Sequence, residues 1–348
     1  MISRLAFAYP GDLELKTGGY GYDREIIAGL ERLGWAIDLI PLGEGFPSPS
    51  SNVLREAERR LSALPDGVLV MIDGLAFGVM DEWAKREETR LNIVALVHHP
   101  LALETGVSES DQMRLRHTET NALAATQHIF VTSPMTTREL IENFVVPESK
   151  VSVAVPGTAK PLLGNKTHNK IQQILSVGSL TRRKGHDVLI AALATIVDLS
   201  WQATIIGSPN LDPSVASALE EQIRTLGLND RITLAGECED LSVAYAGADI
   251  FALASRYEGY GMVFAEALSY GLPIVACHTG AVPDVVPSDA GFLVPVDDVE
   301  AMAFALRRLL IDPDERARRA EAAAFAGAEL PTWTDTSTII SNRLKDLI

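Results

Sequence analysis

Short apolar runs alternate with amphipathic segments along almost the whole chain. The runs have the length of buried strands, and the segments between them, about 10 to 15 residues long, have the apolar spacing of helices. Strands that alternate with such helices predict doubly wound parallel sheets, an α/β fold. The predicted strands cover residues 5–8, 37–42, 68–72, 93–97, 129–132, 151–155, 174–177, 203–206, 232–234, 250–254 and 274–276.

The alternation is interrupted over residues 156–170, where proline, glycine and polar residues break both periodicities. A chain of 348 residues exceeds what one hydrophobic core usually organises, so we expect two domains. The interruption predicts an N-terminal domain over residues 1–157 and a C-terminal domain over residues 158–331. The last segment, residues 332–348, follows a break at Pro331 and carries an apolar stripe that needs a partner surface.

The composition of the chain disfavours several classes of binding partner. The chain has 46 acidic and 30 basic side chains, and its net charge of −16 disfavours nucleic acid. No apolar run approaches the roughly 20 residues that span a bilayer, and the first apolar run is too short for a signal peptide, so we expect a cytoplasmic protein. Cys238 and Cys277 lack a metal-ligand spacing. We therefore expect no disulfide, no metal site and no cofactor.

Two carboxylates flank a glycine-rich turn in the sequence RYEGYGMVFAEALSYGLP, residues 256–273. Glu258 precedes the turn, and Glu266 lies in the helix predicted over residues 262–270. Because the turn follows the strand predicted over 250–254, it lies at the carboxyl end of a strand, where open α/β sheets bind ligands. Glycines there let backbone N–H groups approach a phosphate at the positive end of the helix dipole. Two hydroxyl-binding acids beside such a site indicate a nucleotide sugar.

Three adjacent cations precede another predicted helix in the sequence ILSVGSLTRRKGH, residues 174–186. These are Arg182, Arg183 and Lys184. The helix dipole already places positive charge at this end, so three cations there are unfavourable unless an anion binds. A diphosphate would resolve the conflict, because arginine offers a planar fork to phosphate oxygens and lysine a compact charge.

Both segments resemble those of the retaining GT-B glycosyltransferases of the group 1 type. Glu258 and Glu266 match the Glu-x7-Glu motif of that family. The resemblance implies that Glu258 holds hydroxyls of the donor sugar and that Glu266 holds the ribose hydroxyls of the nucleotide. It also places the donor against the turn between them. The residues of that turn are Gly259, Tyr260, Gly261, Met262 and Val263.

The cationic segment resembles the Gly-Arg-Leu…Lys-Gly motif of the family, in which the Arg and the Lys bind the diphosphate. Lys184 and Gly185 match its second half. Ser179 occupies the position of the family's Arg. The role of that Arg therefore passes to Arg182 or Arg183, or is missing.

A further turn after the strand predicted over 274–276 contains Gly280, and Asp284 stands where many relatives have Glu. This turn resembles the loop that faces the donor in the family. A simple connection between a strand and a helix explains these residues nearly as well.

A glycine-rich stretch opens the first predicted helix, which runs to about residue 33. Gly18, Gly19 and Gly21 resemble the family's loop that closes over the donor phosphates and the acceptor. The competing interpretation is a dinucleotide-binding turn, with Asp38 as the ribose acid. That match is poor, because Arg24 stands where the third Gly or Ala belongs. An NAD-dependent oxidoreductase is therefore disfavoured.

Two histidines follow a buried strand in the sequence LVHHPLALE. Side chains at the carboxyl end of a strand face the ligand side of the sheet. The resemblance implies that a histidine here hydrogen-bonds the donor sugar near the reacting carbon; His98 matches best, and His99 is the alternative. Glu104 is a competing candidate for a catalytic base.

The resemblance implies a GT-B fold, with two Rossmann-like domains facing across a cleft and residues 332–348 crossing back to the N-terminal domain. It implies transfer of a hexose-type sugar, with retained configuration, from a UDP- or GDP-linked donor. The acceptor is then a hydroxyl of a small molecule, of a glycan or of a lipid-linked acceptor. His98, Lys184 and Glu258 are the expected catalytic residues. The alternatives are a nucleotide-sugar epimerase and a non-catalytic nucleotide-sugar-binding protein.

Overall fold

The computed structural model of the protein describes residues 3–103, 107–161 and 170–348. The chain divides into two compact units: residues 1–157 together with 331–348, and residues 158–330. Residues 162–169, which make up half of the predicted interruption, lie outside the described residues, as does Glu104.

Strands and helices alternate throughout the first unit. The strands are β1 (Arg4–Tyr9), β2 (Ala36–Pro41), β3 (Leu69–Asp73), β4 (Asn92–Val97), β5 (His128–Val131) and β6 (Val151–Val153). The helices are α1 (Gly18–Arg32), α2 (Ser51–Ser62), α3 (Gly74–Phe77), α4 (Asp81–Glu87), α5 (Glu109–Ala124) and α6 (Pro134–Phe144), with 3-10 turns at Leu101–Leu103 and Glu148–Lys150.

The sheet of the first unit is parallel, with the strand order β2-β1-β3-β4-β5-β6. Its central strand β3 is buried at every residue, which explains why residues 69–72 form a continuous apolar run. The chain runs outward from β1 to β2 and then returns to β3 on the other side of β1. The strand order therefore reverses between β1 and β3, and ligands of open α/β sheets bind beyond the strand ends at such a point.

The second unit repeats this design. Its strands are β7 (Gln172–Val177), β8 (Trp201–Ile206), β9 (Ile232–Leu234), β10 (Ile250–Leu253), β11 (Ile274–Cys277) and β12 (Gly291–Val294). Its helices are α7 (His186–Ala194), α8 (Pro213–Thr225), α9 (Ser242–Gly247), α10 (Met262–Ser269), α11 (Val282–Val285), α12 (Val299–Ile311) and α13 (Pro313–Glu329), with a 3-10 turn at Arg182–Lys184.

The sheet of the second unit is also parallel, in the order β12-β11-β10-β7-β8-β9. The order reverses between β7 and β10, which are hydrogen-bonded neighbours. The cationic turn follows β7, and the Glu-x7-Glu segment follows β10. The two sequence motifs therefore meet at the switch point, although 74 positions separate Lys184 from Glu258.

The last helix, α14 (Trp333–Lys345), belongs to the first unit and packs on α1. Gly29 of α1 faces Ser337 so closely that a Cβ at position 29 would overlap the serine hydroxyl. The Trp35 indole N–H donates to Ser341 Oγ at 2.8 Å. A capping box of Thr332 and Asp335 starts the helix.

The predicted α/β class with doubly wound parallel sheets is confirmed, and every predicted strand overlaps an observed one. Strand β12 was missed. It has four residues, begins with glycine and lies at the edge of its sheet, with two of its residues only partly buried. Such a segment lacks the apolar run that marks a central strand. No helix in the described ranges is both long enough and apolar enough to cross a bilayer.

Candidate functional site

The turn after β7 folds Lys184 back over the end of that strand. Residues Arg182–Lys184 form one 3-10 turn that ends at Gly185, which has a φ of +65°. A Cβ on Gly185 would also overlap the carbonyl oxygen of Ala254 after β10. Glycine is therefore required both by the backbone conformation and by the close approach of the two loops. The Lys184 side chain runs across Gly178, where a Cβ would lie 3.1 Å from Lys184 Cδ.

Lys184 and Glu258 form a buried ion pair. Lys184 Nζ lies 2.6 Å from Glu258 Oε1, and their side chains are 12% and 6% exposed. Ser255 Oγ donates to the same carboxylate oxygen at 2.7 Å, and Arg183 Nη1 lies 3.4 Å from Oε2. Burial alone would raise the pKa of Glu258, but Lys184 and Arg183 outweigh it and lower that pKa. Glu258 is therefore an anion with two cationic partners.

The two predicted arginines differ in their surroundings. Arg183 is partly buried, and its Nη1 also donates to the Tyr257 carbonyl at 3.1 Å. The Arg182 side chain is exposed. Arg183 is thus the arginine whose guanidinium reaches Glu258.

Glu266 lies on α10 beside two stacked tyrosines. The Tyr245 hydroxyl donates to Glu266 Oε2 at 2.6 Å, and the Tyr245 ring stacks on Tyr270 with 5.3 Å between ring centroids. Burial raises the pKa of Glu266, against the lowering effect of Tyr245 and Lys184. Tyr245 therefore fixes one carboxylate oxygen and orients the group.

The turn between the two glutamates, residues Gly259 to Val263, leads into the first turn of α10. Tyr260 within it is buried, with 7% exposure. The turn at Gly280 supports its start, because the Ala281 N–H donates to the Glu258 carbonyl at 2.9 Å. The Gly280 turn therefore holds the backbone of Glu258.

Arg256 connects the loops of this site through ion pairs and a backbone hydrogen bond. The sequence motifs did not predict this role. Arg256 Nη2 lies 2.8 Å from Asp187 Oδ2, and its Nε lies 2.8 Å from Asp297 Oδ1. Its backbone N–H donates to the Arg183 carbonyl at 2.8 Å. The ion-pair partners are 69 and 41 positions away in the sequence, a relationship that no local pattern reveals.

In the first unit, His98 lies against two buried carboxylates. Its Nε2 is 3.1 Å from Oδ1 of Asp23 on α1 and 3.7 Å from Oδ2 of Asp73 at the end of β3. The side chains of Asp23 and Asp73 are 0% and 3% exposed, and that of His98 is 19% exposed. Gly19 packs on the imidazole, since a Cβ there would lie 3.4 Å from His98 Cδ2. The Tyr22 ring meets the imidazole edge-on, with 5.3 Å between centroids.

The carboxylates control the charge of the histidine. Burial alone would lower the pKa of His98, but Asp23 and Asp73 outweigh it and raise that pKa to about 10. Burial likewise opposes ionisation of Asp73, yet contact with His98 lowers the pKa of Asp73. Burial and the neighbouring Asp73 raise the pKa of Asp23.

The sequence motifs did not point to Asp23 or Asp73. One signal was available, because Asp73 directly follows a fully apolar run and so stands at the carboxyl end of a buried strand. The same three side chains could also hold a metal ion, since their donor atoms all lie within 4.8 Å of one another. His99, the alternative to His98, is half-buried.

The second unit matches a known family. Residues 164–325 match the family model for glycosyl transferases group 1, and this range includes Lys184, Glu258 and Glu266. The chain carries a glycosyl transferases group 1 domain.

Curated relatives of the chain are moderately similar to it. D-inositol 3-phosphate glycosyltransferase of Corynebacterium diphtheriae is 27% identical over 278 residues, which is 72% of this chain and 64% of that protein. Mannosylfructose-phosphate synthase of Agrobacterium fabrum is 26% identical over 226 residues, which is 59% of this chain and 50% of that protein. The chain thus spans between half and just under two thirds of the length of these relatives.

Solved structures match over nearly the full chain. Sucrose-phosphate synthase from Thermosynechococcus elongatus superposes with a TM-score of 0.84 and 21% identity, covering 99% of both chains. Anabaena HepE in complex with UDP and glucose has a TM-score of 0.76 and 17% identity, covering 97% of this chain and 99% of HepE. The predicted GT-B fold is thereby confirmed.

Proposed function

We propose that this protein is a retaining glycosyltransferase, which moves a hexose-type sugar from a UDP- or GDP-linked donor to an acceptor hydroxyl. The observation that carries the proposal is the buried pair of Lys184 and Glu258 at the switch point of the second unit, with Glu266 on the helix that follows. These groups supply a cation for a diphosphate and two carboxylates for sugar hydroxyls. The names of the relatives agree with sugar transfer.

In the proposed complex, the diphosphate binds at the turn after β7. Lys184 Nζ lies at this turn, beside Glu258, and a lysine ammonium is a compact positive charge that suits phosphate oxygens. We assign the role of the family's missing arginine, at Ser179, to Arg183, because Arg183 is the arginine that contacts Glu258. The exposed Arg182 adds positive charge to the same turn.

The donor's hydroxyl groups are assigned to the two glutamates. Glu258 accepts hydrogen bonds from the transferred sugar, and Glu266 accepts them from the ribose. Tyr245 keeps the Glu266 carboxylate in one orientation. Backbone N–H groups at the start of α10, from Gly259, Tyr260, Gly261, Met262 and Val263, complete the proposed donor site.

The first unit is assigned two contacts with the donor. Gly19 lets the backbone at the start of α1 approach it, and His98 hydrogen-bonds the sugar. Packing of Gly19 on the His98 ring supports a common role for the two residues.

In the proposed reaction, the bond between the anomeric carbon and the β-phosphate oxygen breaks. The acceptor oxygen forms its bond to that carbon on the same face, and the acceptor's proton passes to the departing phosphate oxygen. Lys184 and Arg183 stabilise the negative charge that grows on the diphosphate. Catalysis then rests on orientation and electrostatics, without a side-chain base.

Product analysis tests the proposal. The purified protein is incubated with UDP-, GDP- and ADP-linked hexoses and with inositol phosphate and hexose phosphates, acceptors suggested by the relatives' names. We expect proton NMR to show a new glycoside with the donor's anomeric configuration. An altered sugar nucleotide formed without acceptor would instead indicate an epimerase. Nucleotide binding without turnover on any acceptor would indicate a binding protein, and a product of inverted configuration would contradict the retaining mechanism.

A further inference from the structure

The cluster of Asp23, Asp73 and His98 lies at the switch point of the first sheet. Asp73 ends β3, His98 follows β4, and Asp23 is on the helix that follows β1. Segments that follow three neighbouring strands of the sheet, β1, β3 and β4, thus converge on one imidazole. Burying a carboxylate is costly unless a positive charge or hydrogen-bond donors compensate it. A purely structural role for His98 would not require two such carboxylates beside one ring nitrogen.

The contacts fix the imidazole through one of its nitrogens. His98 Nε2 is within hydrogen-bond distance of Asp23 Oδ1, at 3.1 Å, and Asp73 Oδ2 approaches the same nitrogen to 3.7 Å. Asp73 is itself anchored, because its Oδ1 accepts the Leu75 N–H at 2.6 Å. The buried Oδ2 of Asp23 has no hydrogen-bond partner among the described residues. Both carboxylates therefore direct their charge at Nε2.

The second nitrogen of the ring faces other surroundings. Within the described ranges, His98 Nδ1 makes no hydrogen bond, and the ring keeps 19% of its surface exposed. The backbone is held independently, because Thr132 Oγ1 donates to the His98 carbonyl at 3.1 Å. The ring is thus clamped on its Nε2 side and available on its Nδ1 side.

We propose that Asp23 and Asp73 are positioning residues that hold His98 as an imidazolium and direct its Nδ1–H toward an oxygen of the sugar nucleotide. The identity of that oxygen rests on the proposed function; the clamped, cationic histidine does not. Removal of either carboxylate then changes the charge and orientation of His98 without removing any atom that touches the substrate.

Two tyrosines of α1 near the cluster do not change its charge. The Tyr22 ring contacts the imidazole edge-on, and Tyr20 lies close enough to Asp73 and Asp23 for their charges to affect it. Burial and the nearby Asp73 and Asp23 raise the pKa of Tyr20 to about 12, and burial raises that of Tyr22 well above its usual value. Both tyrosines are therefore neutral near pH 8, which leaves the carboxylates in control.

The ligand-free protein tests the positioning directly by NMR of ¹⁵N-labelled histidine, with His98→Gln identifying the His98 signals. We expect both ring nitrogens of His98 to be protonated at pH 8. Asp23→Asn should lower the pKa of His98 by about 1 to 3 units, the usual effect of losing one nearby opposite charge. Asp38→Asn is the matched control, because Asp38 is exposed in the same unit and pairs only with Arg4 among the described residues.

Two results would overturn the positioning role. One is a neutral His98 in the wild-type spectrum at pH 8, a measurement that needs no variant to fold. The other is stoichiometric binding of Zn²⁺ or Mn²⁺ that shifts the His98 signals, which would make the cluster a metal site. Neither result depends on sugar transfer, so failure of the proposed function would be seen separately in the product analysis.

Kinetics then separates positioning from mere support of the fold. We expect Asp23→Asn to lower kcat by up to ~10-fold at pH 8, because a His98 pKa that falls by 3 units from about 10 leaves roughly one tenth of the imidazole protonated at that pH. Activity should recover as the pH falls and His98 regains its proton, while KM for the donor changes less. A pH-independent loss in a folded variant would contradict the role proposed for Asp23.

Discussion

Lys184 Nζ lies 2.6 Å from Glu258 Oε1, so the cation assigned to the diphosphate is paired with the carboxylate assigned to the sugar. Removing one partner of a buried pair leaves the other as an uncompensated charge. Ser255 and Arg183 hold the carboxylate from other sides and limit its movement. The lysine therefore has two proposed roles: it binds the donor and it keeps Glu258 ionised.

Replacement of that lysine tests both roles. Lys184→Ala should reduce turnover by ~100-fold, because one contact to the charge that develops on the leaving group is lost. It should also raise the pKa of Glu258, since Lys184 is the larger of the two cationic influences that lower it. Steady-state kinetics from pH 5 to 8 measures both effects. Lys85→Ala is the control, because the exposed Lys85 forms a similarly short pair with Glu88, at 2.7 Å. Equal losses in both variants would contradict the assignment.

Glu266→Ala should weaken nucleotide binding, because the ribose hydroxyls lose their acceptor. Calorimetric titration with the nucleoside diphosphate measures this loss. Tyr245→Phe removes only the hydroxyl that donates to Glu266 Oε2 and should weaken binding less. Glu221→Ala, at an exposed position of α8, should leave binding unchanged. Wild-type affinity in Glu266→Ala would exclude the ribose role.

Two glycines with nearly the same φ allow the cost of a left-handed backbone to be distinguished from the cost of a steric overlap with a neighbouring loop. Gly185 has a φ of +65° and abuts Ala254, whereas Gly227 has a φ of +66° and no atom within 4 Å of the point that an alanine methyl group would occupy. Gly227→Ala should lower the free energy of unfolding by about 1 kcal/mol, the cost of left-handed backbone for alanine. Gly185→Ala should lower it by several times as much and also abolish donor binding. Urea denaturation compares the two, and equal costs would contradict the close packing of the loops.

Glu119 makes the stability of the first unit depend on pH. It is 1% exposed, and its Oε2 accepts the Leu101 N–H at 2.9 Å. Burial raises its pKa to about 8, despite the lowering effect of Leu101 and Arg116. Between its ordinary pKa of 4.5 and about 8, the folded protein holds a proton that the unfolded chain has lost. Stability should therefore fall as the pH rises through this window and level off above it.

Replacement with the neutral isostere removes that dependence. Glu119→Gln should gain stability over the wild type by up to about 1.4 kcal/mol for each pH unit through the window, with little difference below pH 4.5. Urea unfolding at pH 4.5, 6.5 and 8.5 measures the difference. The exposed Glu109, on the same helix, provides the control variant Glu109→Gln. Parallel stability profiles of Glu119→Gln and the wild type would contradict a proton held on Glu119.

The sequence allowed the sheets to be predicted because their central strands are buried on both faces. The runs at residues 69–73 and 250–253 are apolar except at Asp73, and they stand out from their surroundings. The motifs around Lys184 and Glu258 could be found for a related reason: each is a contiguous turn between such a strand and a helix. Local patterns therefore recovered the elements and the turns that carry the second-unit site.

Contacts between distant segments could not be predicted in this way. Asp23, Asp73 and His98 come from three separate crossings of the chain, and only the strand order brings them together. Arg256 lies just before the Glu-x7-Glu motif, but its role depends on its ion pairs with Asp187 and Asp297, which are distant in the sequence. A single sequence shows the chemical types of these residues without their distances.

Thermal stabilisation by UDP, GDP, ADP and their sugar conjugates is the most direct test of the proposed donor site, because a ligand at about 100 times its Kd adds about 2.7 kcal/mol to the stability of the folded state. We expect the diphosphate of one base to raise the Tm of the wild type selectively, and to do so much less in Lys184→Ala and Glu266→Ala. A folded wild-type protein whose Tm none of these nucleotides raises would contradict a donor site in the second unit.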